Sequence, residues 1–264
     1  MIGVFDSGIG GLTVVRALLD YLPNQQIVYL GDTARTPYGS KSSHTIIKYC
    51  LNNTKFLVRH GADIIVIACN TASSYAYDAM CQSYRGIPIF EVIGPGAQLA
   101  VERSQNKRIG VIGTRATIAS GVYEKRIHAL LPQAVVYAIP CPMLVPLVEE
   151  GWLKRPETAM IVRKYLSVLK TKQIDTLILG CTHYPVLRAV IQKKIGCHVR
   201  LVDSADAIAL QIACHLKKHT ASDQHHFAVA REQCRIYVTD PAEQFQKIAR
   251  LILKNKVSIQ HADI

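Results

Sequence analysis

Two cysteines stand where apolar runs stop. Residues 62–73 read ADIIVIACNTAS and residues 174–185 read IDTLILGCTHYP. In each, an Asp is followed by five residues and then a thiol, Cys69 or Cys181. Polar residues come next: Asn70 and Thr71 after the first, Thr182 and His183 after the second. A helical pattern then begins. Asn70 and Thr71 are suited to cap a helix. Pro185 suits a first helical position, with Leu187, Ile191 and Ile195 continuing at i+4. A helix start carries partial positive charge and unpaired N–H groups. These lower a nearby thiol from its reference pKa of about 8.5. Either stretch by itself is explained by a capping turn around a buried Cys. Their duplication points to function.

Three chemistries use such residues. Cys69, Cys181 and His183 are zinc-ligand types, but no further ligand clusters with them and Asn70 and Thr71 are poor ligands, so no metal is expected. A Cys–His nucleophile would use one thiol and leave the other idle. Two thiols flanking one carbon suit a third task. One removes a proton from one face, the other delivers a proton to the opposite face, and a stereocentre inverts. One must be thiolate while the other is thiol, with the roles exchanged in the reverse direction.

The elements that place these thiols follow from periodicity. Val- and Ile-rich runs at 1–5, 26–31, 63–68, 87–93, 108–113, 134–139, 175–180 and 198–203 read as strands, with helical patterns such as GLTVVRALLDYL (11–22) between them. That alternation is the signature of mostly parallel sheets. The runs also repeat. IGVFDSG (2–8) resembles IGVIGTR (109–115), the two Cys stretches match, and EVIGPGA (91–97) resembles LVDSADA (201–207), all at nearly one offset. Two similar α/β domains related by a pseudo-twofold are predicted, with the site in the cleft between them. Gly94-Pro95-Gly96 reads as the crossing and Asp203 to Asp206 as the return. The first domain is then 1–94 plus 208–264, closed by the helical pattern at 242–255, and the second is 95–207. Ligands in open parallel sheets bind beyond the carboxyl ends of the strands, which is where Cys69 and Cys181 stand.

Two loops complete the cleft. DSGIGG (6–11) lacks the third Gly of a dinucleotide fingerprint and the Gly-Lys-Ser/Thr of a phosphate loop. Its N–H groups are suited to grip a carboxylate, or it is a tight strand-to-helix turn. GDTARTPYGSKS (31–42) is a loop by its Pro, Gly and Ser content and reads as a lid. Its Lys41 suggests pyridoxal phosphate, but no companion phosphate site accompanies it, so no cofactor is expected.

Composition bounds the rest. The 264 residues are 49% apolar and 19% charged, a globular balance. The start MIGVFDSGIGG is not a secretory signal. The uncharged run 129–148 carries Pro132, Pro140, Pro142 and Pro146, which a spanning helix would not tolerate. It reads as a strand and a proline-rich loop, and a cytoplasmic protein without membrane contact is expected. None of the eight cysteines forms a C-x-x-C pair, so reduced thiols are the default. The net charge of +12 raises nucleic acid as a partner. The basic residues, however, sit in helical patterns such as VRKYLSVLKTK (162–172) and CHLKKHT (214–220), without aromatic interleaving. They read as a solvated surface.

Seven stretches resemble the glutamate racemases, cofactor-independent enzymes of the aspartate/glutamate racemase family that make D-glutamate for peptidoglycan. They are GVFDSGIGGL (3–12), LGDTARTPYGSKS (30–42), ACNTAS (68–73), VIGPGA (92–97), PLVEEG (146–151), LGCTHYP (179–185) and LVDSA (201–205). The resemblance implies that Cys69 deprotonates D-glutamate and Cys181 L-glutamate. It places substrate contacts at Asp6, Ser7, Tyr38, Gly39, Asn70, Thr71, Thr182 and His183, with Asp6 and His183 adjusting the two thiols. The family's supporting glutamate falls on Glu149, beside Glu150. Related aspartate racemases typically carry an acidic residue where His183 stands, so glutamate is the implied substrate, with aspartate or another amino acid as the alternative. The family's oligomeric state varies, leaving a homodimer open. Members needing a cell-wall precursor as activator tend to carry extra residues before the first strand. This chain begins at that strand, so no such requirement is expected.

Overall fold

The computed structural model describes residues 1–219, 233–254 and 257–264. Residues 220–232, assigned above to the first domain, and Asn255 of the closing helical pattern lie outside them. Among the described residues the strands are β1 (Ile2–Asp6), β2 (Ile27–Gly31), β3 (Ile64–Ile67), β4 (Ile89–Glu91), β5 (Arg108–Gly113), β6 (Val135–Pro140), β7 (Thr176–Gly180), β8 (Arg200–Val202), β9 (Cys234–Val238) and β10 (Ile259–His261). Strands β1, β2, β3 and β7 are buried at every position. Helices cover both faces, which is why these strands read as continuous apolar runs rather than alternating ones.

The strands form two sheets, ordered β10-β9-β2-β1-β3-β4 and β6-β5-β7-β8. Every pairing is parallel. The repeat seen in the sequence is a repeat of topology. Each sheet lays its strands in the order second, first, third, fourth, with β1 equivalent to β5 and β3 to β7. The first sheet is extended at its β2 edge by β9 and β10, which the sequence reading missed. The helix Glu243–Leu253 packs Phe245, Ile248, Ala249 and Leu253 into the first sheet's core.

Gly94-Pro95-Gly96, read as the crossing, forms the first turn of the helix Ile93–Arg103. First-turn N–H groups have no partner within the helix, so Pro95 costs nothing there. The Glu91 carboxylate takes up two others, from Ile93 N at 2.5 Å and Gly94 N at 2.8 Å. This helix already belongs to the second half, packing Ile93, Ala97 and Ala100 on Ile109, Val111, Ile178 and Val202. The helix Ser204–His219 makes the return, with Ala205, Ile208, Ala209 and Ile212 in the first sheet's core. The stretch read as a proline-rich loop after β6 contains a short helix, Leu144–Glu149, with Pro146 again in a first turn. No helix among the described residues is long and apolar enough to cross a membrane.

Candidate active site

In both sheets the chain leaves adjacent strands in opposite directions, opening a crevice at their carboxyl ends. In the first sheet these are β1 and β3. Ser7 follows β1 and Cys69 lies just beyond β3, with Cys69 Sγ 3.6 Å from Ser7 Oγ. In the second sheet they are β5 and β7, with Thr114 and Cys181 in the equivalent places. The two crevices meet in one small cavity. Cys69 and Cys181 line it together with Ser7, Tyr38, Gly39, Asn70, Thr71, Thr182 and His183. Asp6 and Glu149 stand behind this lining. Pro37, Thr114 and Val145 join it unforeseen. Thr114 was available to sequence reasoning, because the repeat aligns it with Ser7. Lys41 is exposed and away from the cavity. No cluster of three or more His, Cys, Asp or Glu able to hold a metal exists among the described residues.

The helix Asn70–Ser83 begins directly after Cys69, which occupies the cap position. Asn70 and Thr71 are therefore in its first turn and do not cap it, contrary to the sequence reading. Their side chains turn to the other half of the molecule instead. Asn70 Oδ1 accepts from Tyr123 Oη at 2.7 Å, and Thr71 Oγ1 lies 2.9 Å from Thr114 Oγ1 and 3.1 Å from Thr117 Oγ1. After Cys181 a 3-10 turn, Tyr184–Leu187, precedes the helix Arg188–Ile195.

The glycine-rich turn grips a carboxylate, but it is the protein's own. Asp6 Oδ2 accepts from Gly8 N at 3.1 Å and Gly11 N at 3.0 Å, and Oδ1 accepts from Thr182 Oγ1 at 3.2 Å. A Cβ on Gly11 would stand 2.4 Å from Asp6 Cβ, so only glycine fits there. Burial raises the Asp6 pKa, against the opposing pull of His183, both N–H groups and Thr182. Tyr38, in the lid loop, is itself buried, its hydroxyl donating to Asp32 and accepting from Asn53 Nδ2 at 3.0 Å.

The two thiols have different neighbours. Burial, then the Asp6 charge, pushes the Cys69 thiol up to about 12, although the Ala72 N–H and Ser7 hydroxyl pull it down. The helix start thus acts in the expected direction but loses to desolvation. Cys181 Sγ faces His183 Nδ1 at 3.8 Å, and His183 Nε2 faces Glu149 Oε1 at 3.1 Å. Burial works against a charge on His183, but its hydrogen bonds and charge interactions with Cys181 and Glu149 prevail and lift its pKa well above the ordinary value. Of the two adjacent glutamates, it is Glu149 that reaches the imidazole.

The two α/β halves thus each present one thiol to the same small cavity. The chain belongs to the Asp/Glu/hydantoin racemase family, whose pattern matches residues 11–212. Glutamate racemase of Persephonella marina is 45% identical over 263 residues, all of this chain and 97% of that one. The crystal structure of glutamate racemase isoform RacE1 from Bacillus anthracis superposes with a TM-score of 0.91 at 35% identity, covering 100% of this chain and 97% of that one. That of glutamate racemase from Francisella tularensis, in complex with D-glutamate, has a TM-score of 0.90 at 36% identity, covering 100% and 96%.

Proposed function

We propose that this chain interconverts L- and D-glutamate by moving protons on and off Cα between Cys69 and Cys181. The observation that carries the reading is that both thiols, from equivalent strand ends of the two halves, line one small cavity. The halves are taken as residues 1–94 plus 208–264 and 95–207. The family supplies the assignment of faces: Cys181 as thiolate removes the Cα proton of L-glutamate while the Cys69 thiol donates from the other side. For D-glutamate the roles exchange. The hydroxyls of Ser7, Thr71 and Thr182, the Asn70 amide and the Tyr38–Gly39 backbone bind the substrate's polar groups. His183, held by Glu149, serves Cys181, and Asp6 serves Cys69. The product, D-glutamate, goes to peptidoglycan.

Racemisation in deuterium oxide tests this. Loss of the circular dichroism of either enantiomer, with one solvent deuteron incorporated at Cα of the product, is the expected result. Optical activity that persists for glutamate but decays for aspartate would move the reading to the alternative substrate.

A further inference from the structure

Tyr123 touches both thiol-bearing strand ends without reaching the cavity. Its ring lies against the backbone before Cys181: a Cβ on Gly180 would stand 3.1 Å from Tyr123 Cε2. Its hydroxyl donates at 2.7 Å to Oδ1 of Asn70, the residue after Cys69. Tyr123 is 3% exposed and outside the cavity lining, whereas Asn70, 4% exposed, is part of it. Tyr123 comes from the helix Val122–Leu130 of the second half and Asn70 from the first, so the bond spans the two.

A primary amide has an acceptor at one end and two donors at the other. Unanchored, it presents either end to a ligand. We infer that Tyr123 is a positioning residue for the proposed racemisation, holding the Asn70 amide so that its Nδ2 donors meet a carboxylate of the bound amino acid. A hydroxyl in a dry pocket that has taken Oδ1 leaves that oxygen tied, and the NH₂ end is the one free to bind. Released from Tyr123, Asn70 would spend part of its time turning an oxygen toward the anionic substrate. A buried donor and acceptor held this way are costly to leave unpaired, which keeps the amide in one orientation. The inference rests on the proposed substrate.

The test is a double-mutant cycle on the full chain. Tyr123→Phe keeps the ring on Gly180 and removes only the hydroxyl. The kcat/KM for both enantiomers should fall roughly three- to tenfold, the range of a lost hydrogen bond. The loss should fall on KM, because the amide binds rather than transfers a proton. In an Asn70→Ala background the same change should add nothing. An unchanged kcat/KM in Tyr123→Phe, or the same loss with and without Asn70, overturns the inference. If Tyr123→Phe does not fold, Asn70→Asp decides: it still accepts from Tyr123 but has no donors, so it must lose at least as much as Asn70→Ala, and wild-type kinetics overturn the idea. A wild-type chain that binds D-glutamate in calorimetry without racemising it overturns the proposed function alone, and the same cycle is then read in D-glutamate affinity. A chain that neither binds nor racemises glutamate overturns both.

Discussion

His183 Nε2 lies 3.1 Å from Glu149 Oε1, and the imidazole is 97% shielded from solvent on its side-chain atoms while the carboxylate keeps a third of its surface exposed. A buried imidazole thus leans on an anion at the cavity's edge. Its other nitrogen points at Cys181.

That pairing gives a pH prediction. A His whose folded pKa is raised contributes stability that is fully present below its unfolded pKa and is lost as pH rises through the folded pKa. Glu149 is one of the groups lifting His183. Glu149→Gln should therefore bring that loss to lower pH, from the high folded value back toward the ordinary histidine range near 6.5. Wild type should be the more stable in mild acid, where the imidazolium is present, and the thermal midpoints of wild type and variant should converge as pH rises past the wild-type folded pKa. Parallel curves would show that Glu149 does not hold the charge.

Removing either thiol should nearly abolish racemisation, because inversion needs both faces of Cα. The loss expected for Cys69→Ser and for Cys181→Ser is at least the roughly 10²–10⁴-fold of a general acid–base group. With an analogue carrying a leaving group at Cβ, Cys181→Ser should retain elimination from the D-form and Cys69→Ser from the L-form. Loss of the same enantiomer's reaction in both variants would contradict the two-thiol assignment.

Asp6→Asn separates charge from shape. The amide oxygen still accepts from Gly8 and Gly11, and the amide nitrogen reaches the Thr182 hydroxyl, so the turn should survive. Asp6 is one of the groups raising Cys69. Without that charge the Cys69 thiol should ionise at lower pH, read as thiolate absorbance in the ultraviolet against a Cys69→Ser control. Turnover should nonetheless fall about 10²-fold or more, because the tuned proton exchange is lost. Unchanged thiol ionisation would remove Asp6 from the environment of Cys69.

Gly39→Ala tests the lid. A Cβ there would stand 2.7 Å from Thr114 Cβ. The overlap pushes the loop off the second half and should cost about 1–3 kcal/mol of stability. KM should rise more than kcat falls. A crystal structure of the variant with the loop unmoved would show that the contact yields without consequence.

Legibility in the sequence followed the range of the physics. Parallel strands buried on both faces leave unbroken apolar runs, so β1 to β8 could be read directly, and the repeat exposed Cys69 and Cys181 as equivalent strand ends. Chain-local chemistry also placed Ser7, Thr182 and His183 beside those ends. β9 and β10 escaped because they are only partly buried and carry Arg235, Gln260 and His261 within their five and three residues, so neither leaves an unbroken apolar run. Pro146 misled for another reason: the residue that ends a helix elsewhere is harmless in a first turn, where N–H groups are already unpaired. Tertiary structure alone decided the rest. It turned the glycine-rich N–H groups onto Asp6 rather than a ligand, chose Glu149 over Glu150, and sent Asn70 and Thr71 across to Tyr123, Thr114 and Thr117. It also raised Cys69 where the helix start by itself would lower it. Each of these depends on which groups from distant parts of the chain share one dry volume, and spacing along the chain does not carry that information.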